Sequence, residues 1–123
     1  MLRYNKSWET VIVDFGLATW ADEAEYLYVR CGTPGYVAPE IINIRDLKTR
    51  CNPISDIFSI GLIFHILLTG RSIFPGKTYN DVLNQNRNCD FNLDHFTYKA
   101  LPIQAQDLLR RMLDKNPDSR ITA

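Results

Sequence analysis

The 123-residue sequence has no excess of charge of either sign and no long hydrophobic run. Its 14 Lys and Arg residues balance 14 Asp and Glu residues, which gives a formal net charge of zero at pH 7. Without a net field, there is no electrostatic reason to expect a nucleic acid or a membrane surface as the partner. The most apolar stretch, residues 57–68, is 12 residues long, whereas a membrane-spanning helix needs about 18 or more. The sequence therefore predicts a chain with no nucleic-acid partner and no membrane span.

Cysteine and histidine are too few and too scattered to form a disulfide framework or a metal centre. The three cysteines, Cys31, Cys51 and Cys89, lack Cys-x-x-Cys spacing, which indicates buried, reduced thiols in a cytosolic compartment. The two histidines, His65 and His95, have no metal-ligating partner at useful spacing, and His65 is predicted to pack in the core. The polar first residues, "MLRYNKSWE", are typical of neither a signal peptide nor a transit peptide. We therefore expect a cytoplasmic protein.

Hydrophobic patterning predicts a mainly helical chain with one small β-hairpin at the N-terminus. The β-branched run "ETVIV" follows the turn-like "YNKS", so residues 2–3 and 10–13 are predicted to pair as strands. Ser55 as N-cap and Asp56 in the first turn predict a helix over residues 56–68. Its apolar residues cover every side, so it should run through the middle of the core. A short helix "PEIIN" and amphipathic helices at 78–87 and 102–113 complete the prediction.

Four motifs occur in a fixed order along the chain: "DFG" at 14–16, "GTPGYVAPE" at 32–40, "SDIFSIG" at 55–61 and "DKNPDSRITA" at 114–123. Together with the all-round apolar helix, they resemble the C-terminal lobe of eukaryotic protein kinases. The wording is most similar to the calcium/calmodulin-dependent group of serine/threonine kinases. The resemblance implies that residues 1–123 are a partial kinase domain with an incomplete α+β kinase-like fold. It also implies ATP and Mg²⁺ as cofactors and Ser or Thr of a protein as the substrate.

The resemblance assigns roles around the phosphates and the peptide. Asp14 would hold magnesium against the phosphates of the nucleotide, Phe15 would pack beneath the site, and Gly16 would allow the backbone turn. These three residues form the implied cofactor site. Thr33 would hydrogen-bond the catalytic base. The implied floor for the peptide substrate consists of Gly32, Thr33, Pro34, Gly35 and Tyr36.

Three further residues have implied structural roles. Glu40 and Arg120 would form a buried ion pair that fastens the loop at residues 32–36, called the peptide loop below, to the last helices. Asp56 would accept hydrogen bonds from the backbone of the catalytic loop. The acids Asp22, Glu23 and Glu25 are expected to form a solvated loop face and not a metal site.

Parts of the family's catalytic machinery have no counterpart in the sequence. The glycines do not form G-x-G-x-x-G, and Lys6, the only lysine before Asp14, lies in a polar turn. The segment "IRDLKTRCN" at 44–52 resembles the catalytic loop H-R-D-L-K-x-x-N. However, Ile44 replaces its histidine, the asparagine is one position late, and the segment follows "DFG" instead of preceding it. We interpret it as a charged surface connection.

The missing parts lead to two expectations about function. The first is that the chain belongs to a longer serine/threonine kinase, that Met1 is an internal methionine, and that the chain alone is inactive. The second is a non-catalytic, pseudokinase-like module that binds protein partners through the loop and the helix at 78–86. The sequence identifies neither the protein substrate nor a regulatory partner.

Overall fold

The computed structural model describes Tyr4 and residues 8–23, 30–46 and 52–123. Within these ranges the chain forms helices α1 (Pro39–Ile42), α2 (Ile54–Thr69), α3 (Tyr79–Asn88), α4 (Phe96–Lys99) and α5 (Ile103–Met112). Helix α2 packs against α5, and α1 packs against α3. The mainly helical prediction is confirmed. In these same ranges no helix has both the length and the apolar character needed to cross a bilayer.

The predicted strand at 10–13 is wrong for the described residues, where Thr10 alone forms a bridge and no continuous strand follows. The side chains of Ile12 and Val13 are exposed, so the β-branched run has no packed layer against which a strand would be stabilised. The proposed partner at residues 2–3 lies outside the described residues.

Helix α2 begins two residues earlier than the sequence indicates. Ser55 was predicted as the N-cap, but the N-cap position is Pro53, and the Asn52 Oδ1 accepts a hydrogen bond from the Ile54 N–H (3.0 Å). The Ser55 hydroxyl is therefore available for a different contact, described below. At the other end Gly70 adopts a left-handed conformation (φ 69°), and its N–H donates to the Ile66 carbonyl oxygen (2.8 Å). This is the helix end that the sequence predicts.

One side of α2 forms the centre of the core. Phe58 and Leu62 are buried there. They pack with a cluster that includes residues of α1, α4 and α5 and of the segment just after α2. The opposite side is open to solvent, with Ile60, Ile63 and Leu67 exposed, the last at 77%. The central position of the helix is confirmed, but the expectation that other elements surround it does not hold for the described residues.

His65 is a core residue, as predicted, and its ring is fully hydrogen-bonded. Its Nδ1 donates to the Arg71 carbonyl oxygen (3.0 Å), and its Nε2 lies 3.1 Å from the Nε2 of His95. The Nδ1 of His95 accepts from the Tyr98 N–H at the start of α4 (3.2 Å). Burial lowers the pKa of His65, which favours the neutral form of its ring. Helix α4 spans only four residues, too few to show a helical period in the sequence.

The two described cysteines are less buried than the sequence predicts. Cys31 and Cys89 are partly buried thiols, and burial raises the pKa of Cys89 to about 11. Cys51 lies outside the described residues. No cluster of three or more His, Cys, Asp or Glu side chains that could hold a metal occurs among the residues that the structure places.

Close packing between α2 and α5 depends on Gly61. A Cβ at this position would lie 3.0 Å from the Met112 Cβ and 3.1 Å from the Leu113 Cδ2. We expect Gly61→Leu to lower the free energy of unfolding by about 1–3 kcal/mol because the added atoms overpack the contact. Urea denaturation followed by circular dichroism measures the change. Leu67→Ala on the open side of α2 is the control and should shift stability by about 0.5 kcal/mol or less. Equal stability of Gly61→Leu and the natural chain would contradict this packing.

Candidate functional site

The "DFG" segment is an exposed turn. Asp14 adopts a left-handed conformation (φ 64°), and its Oδ1 accepts a hydrogen bond from the Gly16 N–H (3.3 Å). A Cβ on Gly16 would lie only 3.3 Å from that oxygen. Glycine is therefore favoured here by the close approach of the Asp14 side chain, and the positive φ belongs to Asp14 and not to Gly16. Phe15 is 67% exposed, so its predicted packing beneath the site is not seen.

Asp14 has the chemistry for part of a magnesium site. Magnesium is usually bound through one or two carboxylates together with waters and substrate phosphates. The exposed carboxylate of Asp14 fits one such ligand. The residues of this chain therefore fit a site shared with a phosphate ligand, and they do not form a metal cage.

The peptide loop is held in a tight turn by its glycines. Gly32 and Gly35 have φ values of 130° and 88°, a region that side chains with a Cβ rarely adopt. The Thr33 carbonyl oxygen accepts from the N–H groups of Tyr36 (3.0 Å) and Val37 (3.2 Å). A Cβ on Gly32 would lie 2.9 Å from the Val37 Cβ. The "GTPGYV" sequence thus has glycine where the turn requires it.

A cavity of about 740 Å³ lies between this loop and the first turns of α2. It brings together four residues of the predicted site, Gly32, Thr33, Tyr36 and Asp56, and its mouth includes Leu17 just after the "DFG" turn. Asp14 and Phe15 are not among its lining residues. Asp56 is the one carboxylate in the described lining. The cavity is therefore a largely apolar space whose lining also includes the hydroxyl residues Thr19, Thr33, Ser55 and Ser59, together with Cys31, Asn52, Tyr36 and Asp56.

The predicted ion pair between Glu40 and Arg120 is present and is bidentate. The Arg120 Nη1 and Nη2 donate to the two Glu40 carboxylate oxygens at 2.6 and 3.0 Å. The Arg120 side chain is fully buried, and that of Glu40 is 23% exposed. The Ser55 hydroxyl donates to the same carboxylate (2.8 Å). Further bonds run from Arg120 to the carbonyl oxygens of Asp114 (3.0 Å) and Ile54 (3.1 Å).

Electrostatics at this pair favour the charged form of Glu40. Burial alone would raise the pKa of the carboxyl, but hydrogen bonds from Arg120 and Ser55 and the charge of Arg120 outweigh it, and the pKa is lowered below its usual value. The Arg120 guanidinium also lies 4.9 Å from the centre of the Phe58 ring, a cation–π distance. The peptide loop is thereby fixed to α2 and to the last turn of the chain.

Sequence reasoning missed Asn86, which lies directly behind the peptide loop. This α3 side chain is fully buried. Its Oδ1 accepts from the Gly35 N–H (2.8 Å), and its Nδ2 donates to the Val37 carbonyl oxygen (2.9 Å). Of the four asparagines on α3, only Asn86 falls on the side of Val82 and Leu83 by the helical period, and this apolar stripe is the signal that could have found it.

The chain matches the family model "Protein kinase domain" over residues 2–123. It is 37% identical over 112 residues to "Myosin light chain kinase 3" of Rattus norvegicus, covering 91% of this chain and 14% of that protein. "Probable serine/threonine-protein kinase 2" of Plasmodium falciparum is 37% identical over 114 residues, covering 91% and 21%. "Calcium-dependent protein kinase 25" of Arabidopsis thaliana is 32% identical over 111 residues, covering 90% and 20%. The chain thus spans less than a quarter of the length of these relatives.

A solved structure shares the fold. The structure described as the twitchin kinase region from C. elegans superimposes with a TM-score of 0.63 at 27% sequence identity. The match covers 72% of this chain and 15% of that one. The likeness to the kinase fold and to the calcium/calmodulin-dependent group, inferred from the motifs, is confirmed.

Arg120→Leu should be strongly destabilising. Removing one partner of a buried pair leaves the other charge without compensation, and we expect a loss of about 3–5 kcal/mol in the free energy of unfolding. The matched control is Arg111→Leu, since Arg111 contacts Asp107 at 3.6 Å on the exposed face of α5. Exposed pairs of this kind contribute about 0.5 kcal/mol or less. Similar losses for both variants in urea titrations would contradict a special role for Arg120.

Stability should fall in acid through Glu40. Because the pKa of Glu40 is lowered on folding, its contribution is fully present above the unfolded-state pKa of about 4.5 and is lost as the pH falls through the folded-state value. In Glu40→Gln this part of the pH dependence should disappear, although the variant is less stable at pH 7. Melting temperatures from pH 7 to pH 3 measure the slope. An unchanged acid slope in Glu40→Gln would rule Glu40 out as its source.

Proposed function

This chain belongs to the protein kinase family, and we propose that it is part of an ATP-dependent protein serine/threonine kinase. In that kinase the γ-phosphoryl group of ATP is transferred to a Ser or Thr hydroxyl of a protein substrate. The observation that carries the proposal is the cavity in which Thr33 and Tyr36 of the peptide loop face Asp56 of α2. The three relatives described above match about nine tenths of the chain. They are named as a myosin light chain kinase, a serine/threonine-protein kinase and a calcium-dependent protein kinase.

The residues of the proposed site have three roles in phosphoryl transfer. Asp14 would hold the Mg²⁺ that accompanies ATP, and that ion would supply positive charge next to the transferring phosphate. The loop of Gly32, Thr33, Pro34, Gly35 and Tyr36 supports the peptide beside the phosphoacceptor. Thr33 and Asp56 orient the catalytic loop, which contains the base. Phosphoryl transfer depends mainly on positioning and electrostatic stabilisation. A rigid loop is suited to positioning, and a carboxylate that holds a cation is suited to electrostatic stabilisation.

The open side of α2 supports the participation of a further segment. Ile63 lines the cavity and, with Ile60 and Leu67, forms an exposed apolar face. An apolar face of this kind normally packs against other protein. We therefore propose that the glycine-rich loop, the lysine and the base aspartate come from chain that covers this face, and that the 123 residues alone are inactive. The partly buried thiols of Cys31 and Cys89 support a cytoplasmic location.

The alternative is a non-catalytic, pseudokinase-like module that binds a protein partner. It is favoured by the same apolar face, which could receive a partner as well as a covering segment. The two functions differ in whether phosphate is transferred, and the following experiment separates them.

The test is phosphoryl transfer by the complete kinase that contains this chain. With radiolabelled ATP, Mg²⁺ and a library of Ser- and Thr-containing peptides, we expect Asp14→Asn to lower kcat/KM by about 100-fold or more, because a charge that stabilises the transition state is lost. Asp22→Asn, an exposed acid of the same segment, is the control and should stay within about twofold of the natural protein. Full activity of Asp14→Asn would contradict the magnesium role. A complete natural protein that transfers no phosphate would favour the binding module.

A further inference from the structure

The side chain of Asn86 joins the peptide loop to helix α3 by two hydrogen bonds. Asn86 bonds to both Gly35 and Val37, the two neighbours of Tyr36, across sequence separations of 51 and 49 residues. Tyr36 itself is 45% exposed and lines the cavity. The amide of Asn86 thus holds the backbone on both sides of a residue that faces the proposed peptide site.

These two bonds are needed by the backbone of the loop. The turn uses the Thr33 carbonyl oxygen to bind the N–H groups of Tyr36 and Val37. In that turn the Gly35 N–H and the Val37 carbonyl oxygen are bound by the Asn86 amide. A buried backbone group that loses its partner costs about as much as a lost hydrogen bond or more. Without Asn86 the loop would therefore rearrange to satisfy these groups, and Tyr36 would move with it.

Helix α3 is itself held firmly enough to act as a support. Its first turn has a capping box, in which the Thr78 hydroxyl accepts from the Asp81 N–H and the Asp81 carboxylate accepts from the Thr78 N–H. Near its last turn, the Asn43 Nδ2 donates to the Arg87 carbonyl oxygen (3.0 Å). The Lys115 Nζ donates to the Asn88 carbonyl oxygen (2.8 Å). Both ends of α3 are therefore held by hydrogen bonds. Because Asn86 bonds to Gly35 and Val37, the loop is held in place relative to α3.

We propose that Asn86 is a positioning residue for the peptide substrate: by fixing Gly35 and Val37 it sets the place of Tyr36 and hence the affinity of the loop for the peptide. This inference rests on the proposed kinase function. Asn86 is buried behind the loop and acts through it, without touching the substrate or the nucleotide. Its loss should weaken binding of the peptide, while the binding of ATP and the rate of phosphoryl transfer stay the same.

The first experiment compares kinetic constants in the complete kinase. For Asn86→Ala we expect the KM for a peptide substrate selected from the Ser/Thr library to rise about tenfold, the factor that corresponds to about 1.4 kcal/mol. The KM for ATP and kcat should stay within about twofold of the natural values. Asn84→Ala, an exposed residue two positions earlier on α3, is the matched control and should change none of the three constants. An unchanged peptide KM, or an equal loss in all three constants, would overturn the proposal.

The second experiment examines the loop directly in the 123-residue chain by amide hydrogen exchange. In Asn86→Ala the Gly35 N–H should exchange about tenfold faster, while amides in the core of α2, such as Phe58 and Leu62, stay within about twofold. In Asn86→Gln the amide can still accept from Gly35 and donate to Val37, so the Gly35 N–H should exchange more slowly than in Asn86→Ala. Asn84→Ala, on the exposed side of α3, is the control. Uniformly faster exchange in both Asn86 variants would show a general loss of packing and overturn the positioning role.

The two experiments separate this inference from the proposed function. If the complete natural protein transfers no phosphate, the kinase function and the inference fail together. If it is active but Asn86→Ala leaves the peptide KM unchanged, only the positioning role of Asn86 fails.

Discussion

The ion pair between Glu40 and Arg120 is the contact that joins the parts of this structure. It links the start of α1 to a residue 80 positions later, and Arg120 also binds the carbonyl oxygen of Ile54 at the start of α2. A buried ion pair is not stabilising by itself, because two charges must be removed from water. Here the cost is offset by the bidentate geometry, the Ser55 hydroxyl and the Phe58 ring. Three distant segments therefore meet at one guanidinium that donates four hydrogen bonds.

The peptide loop receives its rigidity from that junction and from α3. Glu40 holds the chain just after the loop, and Asn86 holds its middle through Gly35 and Val37. The "DFG" turn differs, since the contact described for its carboxylate is the local bond from Gly16 to Asp14. The loop proposed to support the peptide is thus held by core residues, whereas Phe15 and the turn around it face solvent.

Sequence reasoning predicted the helices well because periodicity is a local property. Helices α2, α3 and α5 differ from their predicted ends by one or two residues. Ser55 shows why boundaries are harder: its hydroxyl suits an N-cap, but the distant Glu40 carboxylate uses it instead. The strand at 10–13 was wrong because β-branched residues favour a strand where one face is packed, and the side chains of Ile12 and Val13 are exposed. The Glu40–Arg120 pair was inferred from family resemblance, since nothing local connects two residues so far apart.

Asn86 shows where such reasoning ends. The helical period places Asn86, alone of the four asparagines on α3, on the apolar side of the helix, but its two partners in the loop lie 51 and 49 residues away in the sequence. The same limit applies to the cavity, which depends on how the loop and α2 lie against each other.

In the proposed kinase, the open cavity separates two requirements, positioning of the peptide and exclusion of water. Electrostatic stabilisation of a transferring phosphate is strongest where water is excluded, but this cavity opens along Ile63 to the exposed side of α2. Asp56 is the one carboxylate in its described lining, and at the first turn of a helix it is suited to bind backbone N–H groups of a neighbouring segment. A segment placed there would cover the apolar side chains and close the cavity in the same step. Positioning of the peptide is therefore built into these residues, and exclusion of water depends on what covers α2.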